Sequence, residues 1–229
     1  MKKKIIQQSI AIIIYARLNS KRLPQKVLLK INSKPLLALI IDRIEKKSKY
    51  TIPIIVATSK AESDNKLEKF CKKNKIKIFR GNLNHVFKRT VECLNFYKFK
   101  SFIRVCADRP FFDVELMDRM ITKFINSDFD IVTNQFPRTY PKGLACEIAK
   151  TNIFYQTNYK NINIREKQHI FDYFYRNYKK CNIFNFKLNS KHDLSKKNFS
   201  INNKKDLTKT RNIYRIHKRK KYIDILKIK

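Results

Sequence analysis

Short apolar runs rich in isoleucine and valine alternate with longer amphipathic stretches up to about residue 134. The apolar runs predict buried strands, and the amphipathic stretches, with apolar residues at three- and four-residue spacing, predict helices. Strands that alternate with helices indicate parallel β-α-β units with helices on both faces of the sheet. We therefore predict an α/β fold with a mostly parallel central sheet. The predicted strands are Ile10–Tyr15, Ile52–Ala57, Ile76–Phe79, Phe102–Cys106 and Asp130–Thr133, and the predicted helices are Pro35–Lys47, Ser63–Lys73, Leu83–Tyr97 and Val114–Asn126.

The segment after residue 134 differs in composition, because "QFPRTYPKGL" combines two prolines with one of the two glycines of the chain. Such a composition is typical of turns. We expect this region to extend the sheet and to close a cleft. We place it, as residues 134–202, within a single domain over residues 1–217, which a basic tail over 218–229 follows. Its predicted elements are a strand at Ala145–Ala149, a helix at Arg165–Tyr178, strands at Cys181–Leu188 and Phe199–Ile201, and a last helix from Asn203.

The chain carries 53 lysines and arginines against 18 aspartates and glutamates, which gives a formal net charge of +35. One interpretation is a nucleic-acid-binding surface. The alternative is a background of AT-rich codons, because lysine, asparagine and isoleucine are abundant throughout while glycine occurs only 2 times. The basic residues are spread along the chain, apart from a cluster in "RIHKRKKY". We favour the second interpretation and expect no nucleic-acid partner.

The N-terminal "MKKKIIQQSIAIIIYA" has the lysines and the apolar stretch of a secretion signal, but two glutamines interrupt it. We therefore expect no cleaved signal. No apolar run approaches the roughly 20 residues that span a bilayer. The 5 cysteines are odd in number, scattered and without a CxxC pair. This pattern predicts reduced thiols, rather than disulfides or a zinc site, in a cytoplasmic protein without membrane insertion.

Polar side chains follow two of the predicted strands at the points where these strands end. Arg17, Ser20, Arg22 and Lys26 follow the first strand, and Asp108 follows the fourth. In open α/β sheets, ligands bind outside the carboxyl ends of the strands. Arginine and lysine there can hold a polyphosphate, and one carboxylate can bind Mg²⁺ together with phosphate oxygens. The alternatives are a solvated basic loop and a turn or capping aspartate; taken together, the two segments predict a nucleotide-triphosphate site.

The stretch "YARLNSKRLPQKVLLKINSKPLL" resembles the signature loop A-R-x-x-S-x-R-L-P-x-K-x-L…x-K-P-L-L of cytidylyltransferases that activate sugar acids. The resemblance is strongest to the branch associated with spore-coat polysaccharide biosynthesis. It continues, in the family's order and from about residue 9 to 210, through "IIVATS", "IFRGNLNHVFKR", "RVCADRPFFDVELMD", "DIVTNQFPRTYPKGLACEI" and "REKQHIFDYFYRN". It implies a Rossmann-like nucleotide-diphospho-sugar transferase fold and the reaction CTP + sugar → CMP-sugar + pyrophosphate.

The resemblance also implies roles for individual residues. The implied catalytic residues are Arg17, Lys26 and Asp108. The implied nucleotide contacts are Ala16, Arg17, Ser20, Arg22, Lys26 and Arg80. The implied sugar contacts are Arg138, Tyr140, Gly143, Glu147, Arg165 and His169, and the implied Mg²⁺ ligands are Asp108 and Asn202. The implied partners are CTP and a small sugar acid, and a homodimer is compatible with the resemblance.

Several positions depart from the family's pattern. Residues other than glycine stand where the family usually has glycine, at Asn19, Gln25, Asn32 and Ala107. Asn202 stands where many members have an aspartate as second metal ligand, and Ala145 stands where an aspartate is common. Two hypotheses follow. The first is an active CMP-sugar synthetase of surface polysaccharide assembly, and the second is a catalytically impaired homologue that binds nucleotide or a partner protein without turnover.

Overall fold

The computed structural model describes residues 4–5, 9–188 and 194–216. Its seven-stranded sheet contains β1 Ile10–Tyr15, β2 Ile54–Ser59, β3 Lys77–Gly81, β4 Ser101–Cys106, β5 Ile131–Thr133, β6 Glu147–Lys150 and β7 Ile183–Asn185. The strand order is β7-β5-β6-β4-β1-β2-β3. Every neighbouring pair is parallel except the two that contain β6, which runs antiparallel to β4 and β5. The prediction of a mostly parallel central sheet is confirmed.

Helices cover both faces of this sheet: α1 Leu36–Lys47, α2 Asn65–Lys73, α3 Val86–Tyr97, α4 Val114–Ile125, α5 Thr151–Tyr155, α6 Ile164–Gln168, α7 Asp172–Arg176 and α8 Lys204–Ile216. Alternate side chains of a strand point to opposite faces. Accordingly, Ile12 and Ile14 of β1 share an apolar cluster with α1 and α4. Ala11 and Ile13 share the opposite cluster with α3, α5 and α7. Both faces of β1 are therefore apolar, which explains its unbroken "IAIIIY".

Two predicted elements of the second half are wrong. The predicted helix Arg165–Tyr178 is two short helices, α6 and α7, and the linking residues Ile170 and Phe171 are buried in the core. The predicted strand Phe199–Ile201 forms no strand. Its amides serve two different segments, since Phe199 N donates to the oxygen of Lys142 and Ile201 N donates to the oxygen of Asp108. In a regular strand the amides of residues i and i+2 point to the same neighbouring strand, so Phe199 and Ile201, which donate to different segments, are not part of a regular ladder.

No helix within 4–5, 9–188 and 194–216 is long and apolar enough to cross a membrane. All 5 cysteines are free thiols, as predicted, and Cys71, Cys93 and Cys146 are buried. Burial raises the pKa of Cys71 and of Cys93 to about 12, so both thiols stay protonated at neutral pH. These cysteines therefore act as small apolar residues of the core.

Candidate active site

An open cleft lies at the carboxyl edge of the sheet. Strands β1 and β4 are parallel neighbours, and Tyr15 lies opposite Cys106, so the segments that follow them leave at the same edge. A cavity of about 600 Å³ is lined on one side by the loop that follows β1, including Arg17, Arg22 and Lys26, and we call it the loop cavity. A second cavity of about 880 Å³ is lined by residues of α6 and α7, and we call it the helix cavity. The residues that line both, here called the junction, are Arg22, Arg104, Cys106, Asp108, His169 and Asn202.

A buried carboxylate holds the loop that follows β1. The side chain of Asp64 is fully buried. It accepts hydrogen bonds from Leu18 N at 2.7 Å and from Ser59 N at 3.1 Å. The loop closes on itself, because Gln25 N and Ser20 N both donate to the oxygen of Leu18 at 2.9 Å. Asp64 thus fixes the start of the basic loop against the end of β2.

Two of the residues that replace family glycines adopt left-handed backbone angles. The φ of Gln25 is 55° and that of Asn32 is 45°. Asparagine tolerates this region, whereas glutamine there costs about 1 kcal/mol. Directly after Gln25, the chain forms a 3₁₀ turn over Lys26–Leu28. This turn places the side chain of Lys26 in the cleft.

The structure brings together the predicted catalytic residues Lys26 and Asp108. The Nζ of Lys26 lies 2.7 Å from Oδ2 of Asp108 and donates to the oxygen of Ile201 at 3.0 Å. Next to Ile201, the Oδ1 of Asn202 accepts a hydrogen bond from Nη2 of Arg22 at 3.1 Å. Three distant segments of the chain therefore meet at the junction. Arg17, the third predicted catalytic residue, is exposed and lines the loop cavity beside Ala16 and Ser20.

The residues at the junction are compatible with Mg²⁺ only if phosphate oxygens complete the site. The oxygens available are the carboxylate of Asp108, the amide oxygen of Asn202 and the main-chain oxygen of Ile201. The described residues contain no group of three or more His, Cys, Asp or Glu side chains that could hold a metal ion. Mg²⁺ commonly takes one or two carboxylates and completes its shell with water and substrate phosphates. A single carboxylate with neutral oxygens therefore suits a cation that arrives with a polyphosphate.

Most of the predicted sugar contacts line the helix cavity: Arg138, Gly143, Glu147, Arg165 and His169. The Nε of Arg165 lies 2.8 Å from Oδ2 of Asp172. Partial desolvation lowers the pKa of His169, and Arg104 and Arg165 act in the same direction, against the opposing effect of Asp172. The imidazole of His169 is therefore biased toward its neutral form at the junction.

Gly143 is required where the helix cavity meets the segment that carries Asn202. Its φ is +94°, and a Cβ atom built on it would lie 2.7 Å from Phe199 C and from Ser200 N. We expect Gly143→Ala to lower the free energy of unfolding by about 2 kcal/mol, because both the backbone angle and the contact are strained. Urea denaturation measures this change, with Ala38→Gly in α1 as a control for an alanine–glycine exchange without a left-handed angle. An unchanged urea midpoint for Gly143→Ala would contradict the requirement.

Two predicted substrate contacts line neither cavity. Arg80 donates from Nε to the oxygen of Ser59 at 2.9 Å and from Nη2 to the oxygen of Ala61 at 2.8 Å, and it also pairs with Glu68. Tyr140 is 2% exposed and belongs to the apolar core. The contacts of both residues to substrate stay predictions.

Sequence reasoning missed two arginines that line the cleft, of which Arg89 is buried and Arg104 is half-buried. Arg104 lies in β4, in the middle of an otherwise apolar strand, and Arg89 lies on α3 with 3% of its surface exposed. Burial lowers the pKa of Arg89, whose Nη1 donates to the oxygen of Asn82 at 3.0 Å. Both carried a signal in the sequence, because each places a charge at a position that the apolar pattern assigns to the core. Arg89, for example, follows the apolar Val86 by three residues, so both lie on the same face of α3.

Comparison with known families gives one match over most of the chain. The sequence model of a family described as cytidylyltransferase matches residues 11–227. An uncharacterised protein of Methanocaldococcus jannaschii, MJ1063, is 31% identical over 166 residues, 72% of this chain and 66% of that protein. The spore coat polysaccharide biosynthesis protein SpsF of Bacillus subtilis is 34% identical over 149 residues, 63% of this chain and 60% of that protein. The matches thus span less than two thirds of the length of these relatives.

Solved structures share the fold over nearly the whole chain. A cytidylyltransferase from Leptospira borgpetersenii superposes with a TM-score of 0.87 at 26% identity and covers 96% of this chain and 93% of its own. A CMP:2-keto-3-deoxy-manno-octonic acid synthetase in complex with CTP superposes with a TM-score of 0.68 at 16% identity, covering 92% and 100% of the two chains. The second likeness is one of fold alone. The Rossmann-like nucleotidyltransferase architecture predicted from the sequence is confirmed.

Proposed function

Because this chain belongs to the cytidylyltransferase family, we propose that it transfers the cytidylyl group of CTP to a sugar acid. The products are pyrophosphate and a CMP-sugar for the assembly of a surface polysaccharide. The observation that carries the proposal is the pair formed by Lys26 and Asp108, 2.7 Å apart where the two cavities meet. A cation and a carboxylate at such a point can take up a triphosphate and its metal from one side. The sugar enters from the other.

Each cavity has its own part in this proposal. The loop cavity receives the triphosphate, because Arg17, Arg22 and Lys26 face it from one loop. The helix cavity receives the sugar. The attacking hydroxyl of the sugar then reaches the α-phosphorus at the junction, opposite to the leaving pyrophosphate. Holding the two reactants in line there supplies much of the rate enhancement by itself.

The chemical step moves negative charge onto the leaving group, and cationic residues of the cleft stabilise that charge. Negative charge builds on the β- and γ-phosphates as pyrophosphate leaves, so Lys26 and the two loop arginines stabilise the transition state. A bound Mg²⁺, held by Asp108 and Asn202 with the phosphates, would supply further charge neutralisation. His169 is the candidate to accept the proton of the attacking hydroxyl. Partial desolvation lowers its pKa, so its imidazole is biased toward the neutral form, which is the form that can accept a proton.

Pyrophosphate release tests the proposal. Purified protein is incubated with CTP, Mg²⁺ and a panel of sugar acids that contains ketodeoxyoctulosonate and the nonulosonic acids. We expect release that depends on one sugar acid and that ATP, GTP and UTP do not support. Binding of CTP without pyrophosphate release with any sugar would contradict the proposal. That result would favour the second candidate, a catalytically impaired homologue, for which Asn202 and Ala145 in the cleft are the supporting observations.

Asn202→Asp separates the two candidates. We expect this variant to lower the Mg²⁺ concentration for half-maximal pyrophosphate release about 10-fold, because a carboxylate attracts the cation more strongly than an amide oxygen. In an impaired homologue, the same change would instead switch on turnover. A Mg²⁺ titration measures the effect. The control is Asn203→Asp, which adds the same charge one residue away, at an exposed position outside both cavities. Equal responses of the two variants would show that only net charge matters.

A further inference from the structure

Three polar residues form a row across the sheet on its helix-cavity side. Glu147 of β6 lies directly opposite Arg104 of β4 and directly opposite Thr133 of β5. Residues that lie opposite each other in a sheet point to the same face. On this face, Arg104 reaches the junction and lines both cavities. The neighbouring residues of the same strands, such as Ile103 and Val132, are core residues.

A chain of hydrogen bonds fixes Glu147 within this row. Its Oε1 accepts from the hydroxyl of Tyr175 at 2.8 Å, and its Oε2 pairs with Nη1 of Arg104. The hydroxyl of Tyr175 also lies 2.7 Å from Oγ1 of Thr133, which accepts from Gln135 N at 3.0 Å. Burial holds the pKa of Tyr175 well above its usual value, so its proton stays available to Glu147. Thr133 therefore donates to Tyr175, and every bond of the chain is directed toward the carboxylate.

Both carboxylate oxygens of Glu147 have hydrogen-bond partners, whereas Arg104 has N–H groups left for a ligand. The side chain of Glu147 is 3% exposed, and both of its oxygens have partners. The guanidinium of Arg104 carries five N–H groups. Within the described residues, Glu147 is the only hydrogen-bond partner of Arg104. The other guanidinium nitrogens are not among the buried atoms without a hydrogen-bond partner, so they are accessible from the cleft. The guanidinium carbon also lies 6.0 Å from the ring centroid of Tyr15. The free donors of Arg104 therefore face the junction from a fixed position.

We propose that Arg104 binds a carboxylate on the carbon that bears the attacking hydroxyl of the sugar, and that Glu147 is the positioning residue that aims its guanidinium. The inference rests on the proposed function, since the junction is where that hydroxyl would meet the α-phosphate. A carboxylate on the same carbon arrives next to that phosphate, so two anions need a cation between them. Arginine matches a carboxylate with two parallel hydrogen bonds. Uronic acids carry their carboxylate at the opposite end of the sugar and would not present it to Arg104.

Two conservative variants test the roles separately. Arg104→Lys keeps the charge and loses the planar pair of donors, and we expect a 10- to 100-fold rise in KM for the sugar acid, about the value of a charged hydrogen bond. Tyr175→Phe removes one bond to Glu147, and we expect a rise of about 3- to 10-fold. In both, KM for CTP stays unchanged. Tyr178→Phe is the matched control, because Tyr178 is 52% exposed and lines neither cavity.

A double variant and a binding assay keep the test independent of folding and turnover. Arg104→Met with Glu147→Met replaces both charges by apolar side chains and leaves no lone buried charge. Calorimetry with CTP and EDTA present then measures the binding of ketodeoxyoctulosonate and of its carboxamide. We expect the wild-type protein to prefer the acid and the double variant to lose that preference. The circular-dichroism melting curve of the double variant verifies that it is folded.

The outcomes separate this inference from the proposed function. If the double variant lost affinity for the acid and for the carboxamide equally, Arg104 would have only a structural role, and the inference would be overturned. A rise in KM for CTP alone would assign Arg104 to the phosphates and would also overturn it. Normal turnover of a sugar acid by both single variants would leave the proposed function standing while the inference fails. A wild-type protein that binds CTP but neither binds nor turns over any sugar acid would overturn both.

Discussion

Lys26→Met is expected to lower kcat/KM for CTP about 100- to 1,000-fold, the usual effect of removing one preorganised donor from a developing negative charge. Nζ of Lys26 is held by Asp108 and by the oxygen of Ile201. The side chain of Lys26 is only 15% exposed, so its ammonium is held at a defined position in the cleft. The triphosphate competes with Asp108 for the ammonium of Lys26. Methionine has a similar length but no charge, so the variant offers the triphosphate no cation at this position.

Steady-state pyrophosphate release measures the loss, and Lys30→Met is the matched control. Lys30 lies four residues further along the chain, is exposed and lines neither cavity. The control therefore removes the same charge from the same region, and we expect its kcat/KM to stay within about 3-fold of wild type, as for a distant surface charge. A similar loss in both variants would mean that the general positive field, and not the position of Lys26, attracts the nucleotide.

Asp108→Asn should separate binding from turnover. Without the carboxylate, Lys26 loses its charged partner and the site loses the negative charge closest to the incoming phosphates. We expect metal-free CTP to bind about 3- to 10-fold more tightly, because the attraction of Lys26 no longer has a competitor. Turnover should still be lost, since the variant has no carboxylate for Mg²⁺. Filter binding with EDTA measures the affinity for metal-free CTP, and pyrophosphate release with Mg²⁺ measures turnover. Weaker binding of metal-free CTP by the variant would contradict a competition between Asp108 and the triphosphate for Lys26.

The sequence predicted the part of the cleft that depends only on where parallel strands end. Lys26 and Asp108 are 82 residues apart, yet both follow central strands of the sheet. Adjacent parallel strands bring such segments to one edge. The helices around β1 to β4 could be predicted for a similar reason, because their apolar spacing is local. The prediction extended to Asn202 only through the family resemblance. The irregular segment that carries it is held by single backbone bonds that no pattern encodes.

The pair formed by Arg104 and Glu147 could not be predicted from the pattern of strands. Strand β6 inserts antiparallel between β4 and β5, although these follow each other along the chain. Only this insertion and its register place Glu147 opposite Arg104, and a shift by one residue would turn the carboxylate to the other face. The resemblance had assigned Glu147 a contact to the sugar. That contact stays a prediction; in the structure the carboxylate of Glu147 is buried and both of its oxygens have partners, Tyr175 and Arg104.

Asp64→Ala is expected to lower the free energy of unfolding by about 3 kcal/mol and to loosen the basic loop. The carboxylate is fully buried and accepts from Leu18 N and Ser59 N, and the hydroxyl of Ser59 also donates to it. Alanine leaves these donors buried without an acceptor, and such desolvated groups cost more than the bonds contribute. Because Leu18 N starts the loop that carries Lys26, the KM for CTP should rise together with the loss of stability.

Urea denaturation and amide hydrogen exchange distinguish the two effects. Asp42→Ala is the control for stability. Its side chain is 32% exposed and takes part in surface ion pairs with Lys34 and Lys46, which are worth about 0 to 1 kcal/mol. Exchange at the amide of Leu18 should accelerate in Asp64→Ala under native conditions and stay unchanged in the control. If exchange at Leu18 were unaffected, or if stability fell no further than in Asp42→Ala, the loop would have to be held by its own closure on the oxygen of Leu18 rather than by Asp64.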